Sequence, residues 1–237
     1  MSQRRKSLKL KNAGFTLLEL MVATMLFVVI TGVVFAVLVA TQKRYKSEKE
    51  YMGAFQQANI AIDQIARDIH GAGFPSKLIY NTAVQVPGNA NKWAVPVASA
   101  APFDLILEED QSDGAGVKWI RYKLIGNTLN RAVATKTLLN PVTVTDPLLV
   151  PYLENVMNNA SAAEIAAITA SNPGTFPGGA AVPIFTFPLY QGAAQVAPNI
   201  HNINICLIVQ APSRDQQTQR LRIATFTAQA STVNPYQ

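Results

Sequence analysis

The apolar residues of this chain are distributed in two different ways, and the change comes near residue 40. From Phe15 to Ala40 the sequence FTLLELMVATMLFVVITGVVFAVLVA runs for 26 residues with Glu19 as its one charge. A bilayer core takes about 20 apolar residues in a helix, so this run predicts a membrane-spanning helix. Beyond it, Tyr45, Met52, Phe55, Ile62, Ile65 and Ile69 recur at multiples of three to four, with Ala58 and Ala66 filling the same face. That spacing predicts an amphipathic helix, which Gly71, Gly73 and Pro75 bring to an end. One helix from Phe15 to about His70 would be on the order of 80 Å long, at a rise of ~1.5 Å per residue. Lys43, Arg44, Lys46, Glu48, Lys49 and Glu50 are expected to form a solvated face with i,i+4 pairs.

After Pro75 the pattern turns to a period of two. Asp104–Glu108 and Val117–Leu124 read as strands flanking a turn at Gln111–Gly114, and Gly126-Asn127 leads into a third strand, Thr128–Val133. This predicts a three-stranded antiparallel meander. Asn202–Gln210 and Arg220–Ala230, on either side of the polar segment Ser213–Gln219, predict a second hairpin. Pro75–Pro102 and Ala170–Pro188 read as connections rich in proline and small residues. Ser161-Ala162-Ala163-Glu164 is a capping-box pattern opening a short helix to about Thr169. The fold class expected is therefore α+β: a long N-terminal helix, transmembrane in its first half, packed on a C-terminal antiparallel β-sheet domain.

Charge and cysteine content narrow the function classes. The net charge is +6, but Arg4, Arg5, Lys6, Lys9 and Lys11 precede the apolar run with no acidic residue among them. Removing these five from the 20 basic residues leaves 15 against 14 acidic, about +1. The basic balance thus belongs to the leader and is no nucleic-acid footprint. A basic flank before the span favours a cytoplasmic N-terminus, with everything after Ala40 outside the cytoplasm. Cys206 is the lone cysteine, so no intramolecular disulfide forms. Its setting, Ile203–Val209, predicts a buried strand thiol.

Two simpler readings compete for the N-terminus. A secretory signal has an apolar region of about 7–15 residues followed by a small-residue cleavage site; here the run is longer and the small residues, Asn12-Ala13-Gly14, come before it. A plain signal anchor does not need Glu19, whose charge opposes insertion by roughly 2.5–3.5 kcal/mol at a helix centre and less near the end.

The leader, Gly14, Phe15 and Glu19, with Thr16-Leu17-Leu18 between, resemble the N-termini of type IV prepilins and of the pseudopilins of type II secretion. The resemblance implies a pilin-like fold and cleavage between Gly14 and Phe15 by a prepilin peptidase, which also N-methylates Phe15. It implies partners too: other minor and major pilins contacted through the N-terminal helix, and the bacterial inner membrane. The divisions expected are a leader at 1–14, a transmembrane and assembly helix at 15–40, an amphipathic periplasmic half at 41–74, and a globular β-rich domain at 75–237. A loop and short-helix insertion is expected near 157–190. Further on, Ile65–Phe74, Asp104-Leu105-Ile106, Ile120–Leu124, Leu129-Asn130-Arg131 and Leu153-Glu154-Asn155-Val156 are similar to PilW-type minor pilins and to pseudopilin J.

Elementary physics gives these residues roles. Positions 15 and 19 are four apart and share a helix face at ~6 Å axial separation. An unpaired carboxylate and an unpaired ammonium are both costly in apolar surroundings. Pairing Glu19 with the Phe15 amine of a neighbouring subunit relieves both and fixes axial register. Gly32 permits close approach of helices.

Candidates for catalysis are few. His70 closes a helix, where a cation suits the dipole, and His201 stands in a turn. Two histidines and one cysteine give no zinc spacing, and there is no nucleophile elbow or phosphate loop. Glu108–Asp113 is the one acidic cluster; calcium could be held by such oxygens, but a solvated hairpin turn is expected, because the closing glutamate is missing. Trp119, with Arg121 and Lys123 at alternate positions of its strand, is expected to face the core. The reading is a structural subunit, not an enzyme, with no cofactor and no metal: a minor pilin-like protein. Pseudopilin J and a membrane-anchored periplasmic binding module or adhesin are the alternatives.

Overall fold

The computed structural model describes residues 15–76, 92–111, 114, 116–136, 148–215 and 218–232. They fall into two compact units that meet between Lys46 and Ser47. The leader, and Gly14 with it, lies outside the described residues, as do Ser112 and Asp113 of the acidic cluster.

Helix α1 spans Leu17–Gly71, one residue beyond the expected end. In the second unit its buried residues are Ser47, Ala58, Ala61, Ile62, Ile65, Asp68 and Ile69. Phe55 belongs to the packed face, with its ring 5.5 Å from that of Phe226. Tyr45 and Met52, expected on that stripe, are instead exposed. The packed stripe of the helix begins at Phe55 and does not reach back to them. Among the charged positions, Glu48 pairs with Arg222 at 2.7 Å, while Lys43, Arg44, Lys46 and Lys49 are exposed.

Two antiparallel sheets complete the second unit. Strands β1 (Val97–Ala101), β2 (Asp104–Asp110), β3 (Val117–Ile125), β4 (Thr128–Thr135) and β5 (Val150–Leu153) form one sheet in that order. The expected meander is its centre, and β1 and β5 extend it on either side. The β3–β4 turn is a two-residue loop, Gly126-Asn127. Gly126 has φ 60° there, a left-handed conformation that glycine adopts without strain at the first position of such a hairpin. Helix α2 (Ala162–Ser171) follows, opened by the Ser161–Glu164 capping box. Strands β6 (Phe185–Thr186), β7 (Asn202–Gln210) and β8 (Ile223–Ser231) form the second sheet. Strand β1 lies in a stretch expected to be connection only: its sequence VASAA has no polar–apolar alternation to read.

One core joins these layers. Ile62, Ile65 and Ile69 of α1 pack with Leu105, Leu107, Ile120, Tyr122 and Leu129 of the first sheet, and with Ile203, Ile205, Leu207 and Val209 of the second. Two smaller clusters flank it. Ile165 and Ile168 of α2 close over Met157, Phe176 and Ile208. Asn158, fully buried, stitches that layer to β7: its carboxamide donates to the Val182 and Cys206 carbonyls and accepts from Ile208 N–H. Cys206 lies on β7, as expected, but is half-buried and not enclosed in the core, and burial pushes its pKa up.

The third cluster holds Trp119, buried in a core as expected. Side chains alternate across a strand, so Ile120 and Tyr122 face the helix, while Trp119 and Arg121 face away. Trp119 is buried there with Ile106 and Ala132, on the side opposite the helix-facing core.

Candidate functional site: the start of the apolar helix

Residues 15–39 present their large side chains outward. Phe15 is 89 % exposed, and Leu17, Leu18, Met21, Met25, Phe27 and Phe35 are all exposed as well. The mean hydropathy of this part of α1 reaches 2.8 with none of it buried. It is long and apolar enough to cross a membrane by length and composition. Gly32 has nothing within 4 Å of where a Cβ would stand, so no packing within the chain requires a glycine there.

The geometry at Glu19 is specific. Thr16 sits immediately before the first helical residue. Glu19 Oε2 accepts from Thr16 N–H at 2.9 Å and from Thr16 Oγ1 at 2.9 Å, while Glu19 N–H donates to Thr16 Oγ1 at 3.3 Å. This is a reciprocal capping box, which satisfies backbone donors left unpaired at the start of a helix. The carboxylate also lies at the positive end of the helix dipole. Thr-x-x-Glu here carries the same signal as Ser161–Glu164, although in the sequence it stands only as the link between Phe15 and Glu19. The cap occupies Glu19 Oε2 and leaves Oε1 without a partner among the described residues.

Elsewhere, polar groups cluster on both faces of the first sheet, one group against α1 and one on the side away from it. Asp68, 4 % exposed, receives Gln64 Nε2 at 2.6 Å, the Tyr122 hydroxyl at 2.5 Å and Arg131 Nη2 at 2.9 Å. Burial, reinforced by the Asp68 charge, raises the Tyr122 pKa far above a free phenol's, so the hydroxyl stays a donor. Glu109 closes this side. Its Oε2 is buried without a hydrogen-bond partner among the described residues, and burial followed by the Asp68 charge pushes its pKa up to about 7. On the other sheet face, Glu108 and Lys136 form a fully buried ion pair at 2.6 Å. Glu108 also accepts from Trp119 Nε1 at 2.9 Å and Val95 N–H at 2.8 Å, and Lys136 Nζ stands 4.3 Å over the Trp93 ring.

These contacts overturn the expectation of a solvated acidic turn. Strand β2 runs on to Asp110, so Glu108 and Glu109 point to opposite faces of a sheet, each carboxylate enclosed in its own way. Among the described residues no group of three or more His, Cys, Asp or Glu side chains could hold a metal ion. His70 is exposed in the last turn of α1. His201 stacks on Tyr190 at 3.9 Å and its backbone N–H donates to Gln195 Oε1, an arrangement of turn structure.

Against this geometry, the family described as the prokaryotic N-terminal methylation motif matches residues 9–39. The match is confined to this N-terminal segment, which is similar to the N-termini of prepilin-type proteins of the type IV pilin and pseudopilin class. That class is structural, not enzymatic, and its motif implies processing by a prepilin peptidase and association with the membrane and with pilins. No curated protein and no solved structure matches the chain. The motif and the exposed apolar helix together point to membrane anchoring.

Proposed function

We propose that the chain is a minor pilin-like structural subunit, cut between Gly14 and Phe15, N-methylated at Phe15, and incorporated through residues 15–40 into a type IV pilus. With other minor pilins it primes assembly in the manner of PilW-type subunits. Its β-rich domain stands in the periplasm before assembly. The observation that carries this reading is the coincidence of the methylation motif at residues 9–39 with an apolar helix segment that is exposed among the described residues. Such a surface needs lipid or other helices around it. Glu19 Oε1, left over by the cap, is available to the Phe15 ammonium of a neighbouring subunit, and that pairing sets axial register. Gly32 then marks a point of close helix approach.

The test is the mature N-terminus, read by mass spectrometry in cells with and without the prepilin peptidase. N-methylated Phe15 that disappears with the peptidase supports the proposal; an intact Met1 or a cut elsewhere removes it. Pseudopilin J of a type II secretion machine shares every one of these features and is separated by gene neighbours. One observation favours a plain membrane anchor carrying a binding module: the Thr16–Glu19 cap accounts for Glu19 without any assembly role. That reading requires no cleavage at Phe15.

A further inference from the structure

The second sheet ends in an edge that differs from the other sheet edges. Ala211 N–H donates to Arg222 O at 2.8 Å and Thr232 N–H to His201 O at 3.0 Å. With the register Asn202↔Ser231 to Gln210↔Ile223, these two bonds fix the alternation of the whole ladder. The even-numbered residues of β8 bond to β7. The N–H and C=O groups of Ile223, Thr225, Thr227, Gln229 and Ser231 point away from it. Strand β7 obeys the same rule on its other side, where Gln210 N–H reaches Asn155 O and Cys206 N–H reaches Ile184 O. No described residue bonds to the outer row of β8.

Sheet edges of this kind are normally blunted by shortness, bulges, prolines or charges. The other edges here are. Strand β1 has five residues and a register shift between Val97 and Ser99. Strand β5 has four residues, Pro151 among them, and a shift at Leu129/Asn130 of its partner. Strand β6 has two residues. Strand β8 has nine in unbroken register, IATFTAQAS, with no charge, proline or glycine. Behind this edge the core is left half-covered: Phe226 and Ala228, on the helix-facing side, are only partly buried. The opposite side shows Thr225, Thr227, Gln229 and Ser231 to solvent.

We propose that the outer edge of β8 docks an extended, uncharged strand of another polypeptide as a fourth strand of this sheet. The chemistry specifies the occupant. A row of main-chain donors and acceptors repeating every second residue is matched by a β-strand. Apolar side chains on alternate positions of that strand would cover Phe226 and Ala228, and polar ones would meet the Thr and Gln row. A charged strand is disfavoured, since nothing on this edge would pair with it. The inference stands apart from the pilus reading and survives its failure.

The experiment uses the full chain in detergent and a nine-residue peptide of alternating valine and threonine, with a lysine at each end for solubility. Residue-resolved amide exchange is followed by NMR. The expected result is at least tenfold slower exchange at Thr225, Thr227 and Gln229 with peptide, with the even-numbered amides unchanged. Thr227→Pro removes an outward N–H and leaves the β7 ladder intact; it should abolish the slowing without lowering the unfolding temperature. If that variant unfolds, Thr225→Lys, which places a charge on the edge, gives the same comparison. Three results would overturn the proposal: no slowing at saturating peptide, equal slowing by a peptide with proline at its centre, or outer amides already protected in the chain alone. In the last case, dependence on dilution identifies a second copy as the occupant and independence identifies the chain itself.

Discussion

The Tyr122 hydroxyl donates to Asp68 Oδ2 at 2.5 Å, bridging 54 positions of sequence. It links β3 to α1 within a site that Arg131 also enters. The carboxylate is the hub and the phenol one of its spokes, so the two truncations should differ. Asp68→Ala strands a half-buried guanidinium and a buried hydroxyl, and should cost about 3–5 kcal/mol. Tyr122→Phe leaves Asp68 with Gln64 and Arg131, and should cost about 1–2 kcal/mol. Urea unfolding of the detergent-solubilised chain measures both; equal losses would make Tyr122 the organising residue.

Glu109 predicts an unusual pH dependence. Its folded pKa of about 7 lies above the ordinary 4.5. The folded state therefore binds more protons than the unfolded state between these values, and stability falls as pH rises through that window. The penalty is absent below 4.5 and complete above about 7. Because the side chain is half exposed, solvent screening limits the effect to about 1 kcal/mol. Asp68 and Asp110 oppose its ionisation and Arg131 favours it. Glu109→Gln should flatten the profile between pH 5 and 8, measured as unfolding temperature, and should stabilise the chain at pH 8. Gly71→Ala probes the same contact sterically: a Cβ there would collide with the Glu109 carboxyl, the end of a flexible side chain that can swing aside, so the pH dependence should weaken with little loss of stability.

The Glu108–Lys136 pair should be expensive to break and cheap to replace whole. Lys136→Met leaves a fully buried carboxylate without its cation, and about 3–5 kcal/mol should be lost. Glu108→Leu with Lys136→Met removes both charges and should recover much of that loss. A double-mutant cycle with no coupling would mean that Trp119 and Val95 satisfy Glu108 unaided.

At the start of α1, two substitutions separate a cap from a register ion pair. Glu19→Gln keeps the capping geometry, since glutamine serves in the same box, but removes the charge. Thr16→Ala weakens the cap by about 0.5–2 kcal/mol and keeps the charge. Incorporation into filaments should fail for Glu19→Gln and persist for Thr16→Ala, scored by immunoblot of sheared filaments with cleavage checked in parallel. The reverse order would assign Glu19 to the helix start alone.

Legibility from sequence followed the strength of the periodic signal. The apolar run, the helix end at Gly71, the central meander and the β7–β8 hairpin were written in long, regular patterns, as was the Ser161–Glu164 cap. Strands β1, β5 and β6 were not, because VASAA, VPYL and FT are too short or too uniform to carry a period of two. The polar clusters were harder still. Glu108 and Glu109 look like a surface turn until β2 is known to run through them, and Lys136 gives no local sign of burial. Asp68 stood within a recognised helix-ending stretch, yet its partners come from β3 and β4. The Thr16–Glu19 cap is readable from Thr-x-x-Glu alone, but a carboxylate in an apolar run points first to a partner outside the helix.

The order of strands in the first sheet bears on how the chain acquires its structure. Each of its pairings joins neighbours in sequence, β1 to β2 and onward to β5. Each closure after the first therefore extends an existing template, and the short loops from β1 to β4 close at little entropic expense, the longer link from Thr135 to Val150 at somewhat more. The helix reaches the same core only through distant partners, such as Asp68 with Tyr122. Contacts of that separation form late in most small domains. The meander is thus expected to assemble ahead of helix docking, with the Asp68 hub closing as a final latch; mutations at Asp68 should then accelerate unfolding and leave the refolding rate nearly unchanged.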